Sequence, residues 1–242
     1  MRPSTILDQL REQIATIEGK AVAGTVLPFG LGAVDRHLPG GGLPCGALHE
    51  LAGSNVLADD AAATVFLAGI LARTQGPVFW CLRWRDLFAP ALDLAGLTPD
   101  RVIYVEAGSD VNVLTAMEEC LRHSGLGGVV GEVKALSTTA SKRLQLAAEK
   151  SGVPAFVFRR ALPLDAPASG SAAVTRWRVR AHPSEALDIP SLARPRWEVA
   201  LERVRGGESH LWIMEGCDAT GRLALPAELV DRPDRQEAQA AA

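Results

Sequence analysis

Gly53-Ser54-Asn55-Val56-Leu57-Ala58-Asp59-Asp60 has the spacing of a phosphate-binding loop and the wrong charges for one. The chemistry needs G-x-x-x-x-G-K-[ST]: backbone N–H groups and a helix N-terminus cradle the phosphates, a lysine neutralises them, and a hydroxyl holds the metal ion. Gly53 stands at the opening glycine. Ala58, Asp59 and Asp60 stand where the second glycine, the lysine and the hydroxyl belong. A carboxylate about 4 Å from a phosphate costs about 4 kcal/mol at an effective dielectric of 20. The same two aspartates suit a helix N-terminus that holds no nucleotide, where they answer the positive end of the dipole. A metal site is the lesser alternative for them.

The second pattern is Arg176-Trp177-Arg178-Val179-Arg180. On a strand this puts three guanidinium groups on one face and two apolar side chains on the other. Arg159 and Arg160 lead into the region. Such a face can contact the phosphates of single-stranded DNA, each contact adding to the salt dependence of binding. The alternative is a solvated strand face with its arginines paired to Glu198 or Glu202 on a neighbouring strand. From Arg159 to Arg205 there are nine arginines, no lysine and five acids, a net +4 that leaves −7 for the rest of the chain. Trp84, between Arg83 and Arg85, is the tryptophan best placed to be exposed; Trp80, Trp177 and Trp197 fall on predicted strands and read as core. His49 and His123 have no catalytic partner at useful spacing. There is no nucleophile elbow and no Cys/His ligand pattern for zinc.

The elements that must position these residues alternate. Residues 46–51 read as a short strand ending at Gly53, and residues 60–74, rich in Ala and Leu, as a long helix. Gly76-Pro77 breaks it before a buried strand at 78–82. A short helix (87–95), a strand (101–105), a helix (111–123), a strand around Val129–Val130, a helix (137–151) and a strand (153–158) follow. This alternation predicts a mostly parallel α/β sheet with helices on both faces. From Ala172 onward only strands are predicted (172–180, 197–205 and 210–214), read as antiparallel additions at one sheet edge. Before all of this, residues 5–18 read as an amphipathic helix through Ile6, Leu10, Ile14 and Ile17. The polar, Ala-rich end from residue 232 reads as frayed.

With 242 residues, about half of them apolar and a net charge of −3, the chain can bury a full core without staples. The four scattered cysteines and an N-terminus that meets charge too early for a signal sequence suit a reducing cytoplasm. No apolar run is long enough to span a membrane.

Residues 38–53, Leu-Pro-Gly-Gly-Gly-Leu-Pro-Cys-Gly-Ala-Leu-His-Glu-Leu-Ala-Gly, resemble the lead-in to the phosphate loop of RecA-type recombinases, and the resemblance covers roughly residues 26–205. More closely, the chain resembles the ImuA family, RecA-related accessory proteins of bacterial damage-inducible mutagenesis cassettes. Residues 171–180 are similar to that family's most characteristic segment, and Gly128–Val133 and residues 143–147 also fit. The resemblance implies a RecA-like core at 26–205; the helical pattern assigns 1–25 to an N-terminal helix, and the last predicted strand with the polar end assigns 206–242 to a C-terminal strand and partly disordered tail. It also implies a lost ATPase site. The strand that ends in a catalytic glutamate in recombinases here runs into Arg83. Gly131 stands in the place of the magnesium-associated aspartate, with Glu132 beside it and directed to the other face.

The implied function is a non-catalytic adaptor in SOS-induced mutagenic translesion synthesis that needs no cofactor. Its implied partners are a polymerase-like protein of the same cassette (ImuB-type) and an error-prone replicative-type polymerase, with RecA and single-stranded DNA as further candidates. Candidate partner-binding residues are Ile6, Leu10, Ile14 and Ile17, and Leu223, Leu225, Leu229 and Val230 near the other end. The rival readings are an active DNA-dependent ATPase or recombinase, against which Ala58-Asp59-Asp60 speaks, and a damage-induced cell-division inhibitor.

Overall fold

The computed structural model describes residues 25–166, 170–184 and 194–226. The predicted N-terminal helix with Ile6, Leu10, Ile14 and Ile17, and the apolar pair Leu229 and Val230, lie outside the described residues.

Strands and helices alternate as the sequence predicts. A small ribbon, β1 (Val26–Leu27) on β2 (Leu43–Pro44), flanks the short helix α1 (Gly32–Asp35). The main series is β3 (Leu48–Ala52), α2 (Leu57–Ala72), β4 (Val78–Leu82), α3 (Ala89–Leu94), β5 (Val102–Glu106) and α4 (Asp110–Cys120). It continues with β6 (Gly128–Val133), α5 (Thr138–Ser151), β7 (Ala155–Arg159), β8 (Thr175–His182), β9 (Arg196–Val204) and β10 (His210–Glu215). Helix α5 starts on a Ser137 cap that accepts the Ala140 N–H, and stops at Gly152 in the left-handed region, as its sequence demands.

The eight-stranded sheet has the order β10-β9-β8-β3-β7-β6-β4-β5. All five residues of β3 are buried, the mark of a central strand covered on both faces. Strand β8 departs from expectation: it runs parallel to β3, and the antiparallel pairings of this sheet are those of β9 with β8 and with β10. The connection after β7 is long enough to carry the chain back across the sheet, so β8 enters in the same direction as its neighbours.

Two apolar layers hold the sheet. On one face α2 packs Phe66, Leu67 and Leu71 with Trp80, Phe156, Phe158 and Trp177. On the other, Val113, Met117 and Leu144 from α4 and α5 meet Val129, Val133 and Val157. Each such fully buried side chain contributes about 1.5–3 kcal/mol. Leu223 belongs to the first layer at 8% exposure, which removes it from the candidate partner-binding residues; Leu225 remains at the surface. No helix among the described residues is long and apolar enough to cross a membrane.

Candidate functional site

The loop between β3 and α2 is closed by its own side chains. Val56 precedes the helix in an extended conformation and offers no side-chain cap, so the first turn must find acceptors elsewhere. Ser54 Oγ donates to Asp59 Oδ2 at 2.5 Å and accepts the Val56 N–H at 3.0 Å. The other oxygen, Asp59 Oδ1, accepts the Ala181 N–H of β8 at 2.9 Å. Asp60 Oδ2 accepts the N–H of Ala161, just past β7, at 2.8 Å. Ala161 is the one non-glycine among the described residues with positive φ, and this bond holds it there. Both aspartates are buried. They therefore do more than answer the helix dipole: they tie α2 to β8 and to the β7 exit.

Gly53 has a related reason. A Cβ at this position would lie 2.6 Å from both the Asp60 N and Oδ1 atoms. The glycine that lets a phosphate approach in a nucleotide site here lets a carboxylate approach. Burial pushes the Asp60 carboxyl above the usual range, and its Oδ1 is buried with no hydrogen-bond partner among the described residues.

Beside this loop is a cleft of about 180 Å³ lined by Asp60, Arg83, Trp84, Asp86, Glu132, Lys134 and Arg160, among others. Its two arginines are paired with acids. Arg160 Nη1 bridges Asp86 at 2.7 Å and Glu132 at 3.0 Å. Glu132 Oε1 accepts the Trp80 indole N–H at 2.8 Å, and burial pushes its carboxyl up. Arg83 pairs with Asp110 at 2.9 Å, while Asp110 Oδ2 accepts the N–H groups of Lys134 and Ala135. The Arg83 guanidinium also lies 5.4 Å from the Trp84 ring centroid, and Trp84 is 59% exposed, as its flanking arginines suggest.

Gly131 and Glu132 face opposite ways as expected, but Glu132 and not Gly131 reaches the cleft. Gly131 faces α4: a Cβ there would meet Met117 Sδ at 2.1 Å. It stands on the face away from the cleft. Glu132, one residue on, points to the face of α2 and is the carboxylate at the cleft. The signal was present in Val129 and Val130, since a strand of period two puts residue 132 on the same face as residue 130. The position of Arg160 was not readable, because nothing in the sequence says which way the chain turns after β7. It points into the cleft, not along the strand face.

The arginines of β8 do share one face, and acids on neighbouring strands meet them. Arg178 Nε pairs with Glu202 at 2.5 Å, and Arg178 Nη1 also donates to the Gly53 carbonyl at 3.1 Å. Arg180 Nε donates to Glu198 at 2.9 Å, and Arg176 pairs with Glu50 at 3.4 Å. A register shift between Arg176 and Trp177 leaves Glu202 as the extra residue of β9. Arg159 lies in register with Ala52, which is itself in register with Arg178 on its other side. Arg159 has no acid partner among the described residues, and its Nε is buried without an acceptor. His49 is structural: its ring nitrogens contact Thr175 Oγ1 at 2.7 Å and the Pro44 carbonyl at 3.0 Å, and burial lowers it to about 4. No group of three His, Cys, Asp or Glu side chains among the described residues could hold a metal ion.

This architecture defines a class. The chain superimposes on the crystal structure of the RadB recombinase with a TM-score of 0.58 at 15% identity, covering 78% of this chain and 95% of that one; the fold is RecA-like. No protein-family model matches the sequence. The protein ImuA of Caulobacter vibrioides, in strain NA1000/CB15N and again in strain ATCC 19089/CIP 103742/CB 15, is 38% identical over 220 residues, 86% of this chain and 89% of the relative. The chain belongs to the ImuA family.

Proposed function

We propose that this protein is a non-catalytic RecA-like adaptor in damage-induced mutagenic translesion synthesis. Membership of the ImuA family supports the pathway, and the self-closed loop carries the loss of catalysis. In a working site the α2 N-terminus would hold phosphate and the cleft a divalent cation. Here the carboxylates of Asp59 and Asp60 occupy the first place, and the Arg160 guanidinium bridges the acids of the second. Both charges come from the chain itself, so nucleotide gains nothing by entering.

What remains for function is binding. The proposed partners are the polymerase-like protein of the same cassette and the error-prone polymerase it serves, with RecA a further candidate. Binding of the polymerase-like partner, measured by calorimetry with and without ATP, tests the adaptor reading. Equal affinity in both supports it; binding that requires ATP overturns it.

Single-stranded DNA is proposed on the sheet face that carries Arg159 and the β8 arginines. Arg159 supports this most directly, because no acid of the described residues neutralises it. Phosphates would have to displace carboxylates from Arg176, Arg178 and Arg180. Replacing these three by Ala should weaken binding regardless of sequence and make the log–log salt slope shallower by roughly 0.7 per lost contact. An unchanged slope in the folded triple variant removes the triad from the DNA surface.

A further inference from the structure

Of the five tryptophans, Trp84 alone is left at the surface. It is 59% exposed, while Trp80, Trp177, Trp197 and Trp212 are all buried. Its ring is held from one side: the Arg83 guanidinium lies 5.4 Å from the ring centroid and is itself fixed by Asp110 at 2.9 Å. The indole is therefore ordered in advance of any ligand that stacks on it, which lowers the entropic cost of binding.

The strand register sets what lies next to it. Strands β8, β3, β7, β6 and β4 are adjacent and parallel, so their carboxyl ends share one end of the sheet. Arg178 is in register with Ala52, Ala52 with Arg159, and Arg159 with Val133. Cys81 is in register with Gly131, and two residues further along both strands set Arg83 opposite Val133. Arg178, Arg159 and Arg83 thus stand on alternate strands, in one row across the sheet and on one face of it. The row spans four strand spacings, about 19 Å, and Trp84 follows directly on its last member. Lys134, next to the Val133 step, is exposed and has no acid partner among the described residues.

We propose that Trp84 is a base-stacking platform for single-stranded DNA at the β4 end of this arginine row. The proposal rests on the reading of the β8 face as a DNA surface and carries that surface across the sheet to β4. Guanidinium groups repeated along a row suit a flexible polyanion and fix no sequence. An indole at the end of the row accepts any base, because every base has a π-face. The surroundings favour a nucleic acid over a protein anchor. Protein hot spots sit in desolvated apolar pockets, whereas the cleft beside Trp84 is lined by the charged side chains of Asp60, Arg83, Asp86, Glu132, Lys134 and Arg160.

The test titrates the full-length protein with an oligothymidylate of about 15 nucleotides and follows tryptophan emission. The solvent-exposed component, which belongs to Trp84, should be quenched on binding. Trp84→Leu should remove that quench and weaken binding roughly tenfold, with the log–log salt slope unchanged, because stacking releases no counterions. Trp84→Phe keeps a ring and should recover most of the affinity. The side chain is mostly exposed, so both variants should match the wild type by circular dichroism. An abasic strand of the same length should bind the wild type about as weakly as oligothymidylate binds Trp84→Leu. Equal affinity of Trp84→Leu and wild type, or of the abasic and thymidylate strands, overturns the proposal and leaves the arginine face as a DNA surface. Failure of either strand to bind at low salt overturns both readings. Burial of Trp84 by the polymerase-like partner, with its emission unmoved by DNA, also overturns the proposal and makes the residue a protein contact.

Discussion

The loop before α2 and the arginine face of β8 both gather like charges, and they satisfy them in different ways. Asp59 and Asp60 are withdrawn from solvent, 8% and 7% exposed, and bond to backbone N–H groups and a serine hydroxyl. Those partners are fixed by the fold. The arginines share one sheet face and pair with side chains, the partly exposed Glu198 and Glu202 and the buried Glu50. The partly exposed partners can be exchanged for another anion. Buried carboxylates thus close one site for good, while the ion pairs of the other screen a surface that a polyanion can compete for.

The sharpest way to break this contrast is at Gly53. Gly53→Ala puts a methyl group 2.6 Å from the Asp60 backbone nitrogen and carboxylate, with no flexible neighbour to give way. The expected loss is about 3 kcal/mol of unfolding free energy in urea, typical of overpacking. A neutral result would mean that the loop is open. Next is Asp59→Ala, which leaves the Ala181 N–H and Ser54 hydroxyl without an acceptor and should cost about 2 kcal/mol. The loss should be nearly the same at low and high salt, since the partners are uncharged.

The arginine face should behave in the opposite way. A double-mutant cycle on Arg178 and Glu202, 11% and 32% exposed at their side chains, should give a coupling of about 1 kcal/mol at low salt that shrinks as salt rises. Coupling independent of salt would make this pair as closed as the aspartates. The smallest effect concerns pH. The folded-state pKa of Asp60 is raised by burial, so its ionised form opposes folding; that penalty is full above the folded value and vanishes below the unfolded one. Asp60→Asn keeps an acceptor for the Ala161 N–H and should therefore match or slightly exceed the wild type at neutral pH. The advantage should fade as pH falls through the acidic range. A variant destabilised at neutral pH that recovers as pH falls would show that the charge itself is needed.

Much of this was legible in the sequence, and the reasons for the remainder are physical. The strand Val78–Leu82 sits where its β-branched and aromatic run places it, and Trp80, Trp177 and Trp197 are core. Asp59 and Asp60 stand out by their charge alone, at positions where a phosphate loop needs a lysine and a hydroxyl. Their bonds to Ala181 and Ala161 could not be read, because those partners are backbone groups more than 100 residues away, and a backbone N–H leaves no trace in side-chain identity. Glu132 could have been assigned to the cleft from strand alternation, had the resemblance not drawn attention to Gly131. The pairing of the arginines with Glu198 and Glu202 was open to a cross-strand argument; that with Glu50 was not, since it required β8 to run parallel beside β3.

The central claim is that the chain fills its own nucleotide site. Isothermal titration of the full-length protein with ATP and magnesium tests it most directly. The account predicts no saturable heat up to millimolar nucleotide, with or without single-stranded DNA. A one-to-one isotherm in the micromolar range would contradict it, because phosphates would then be displacing the carboxylates of Asp59 and Asp60.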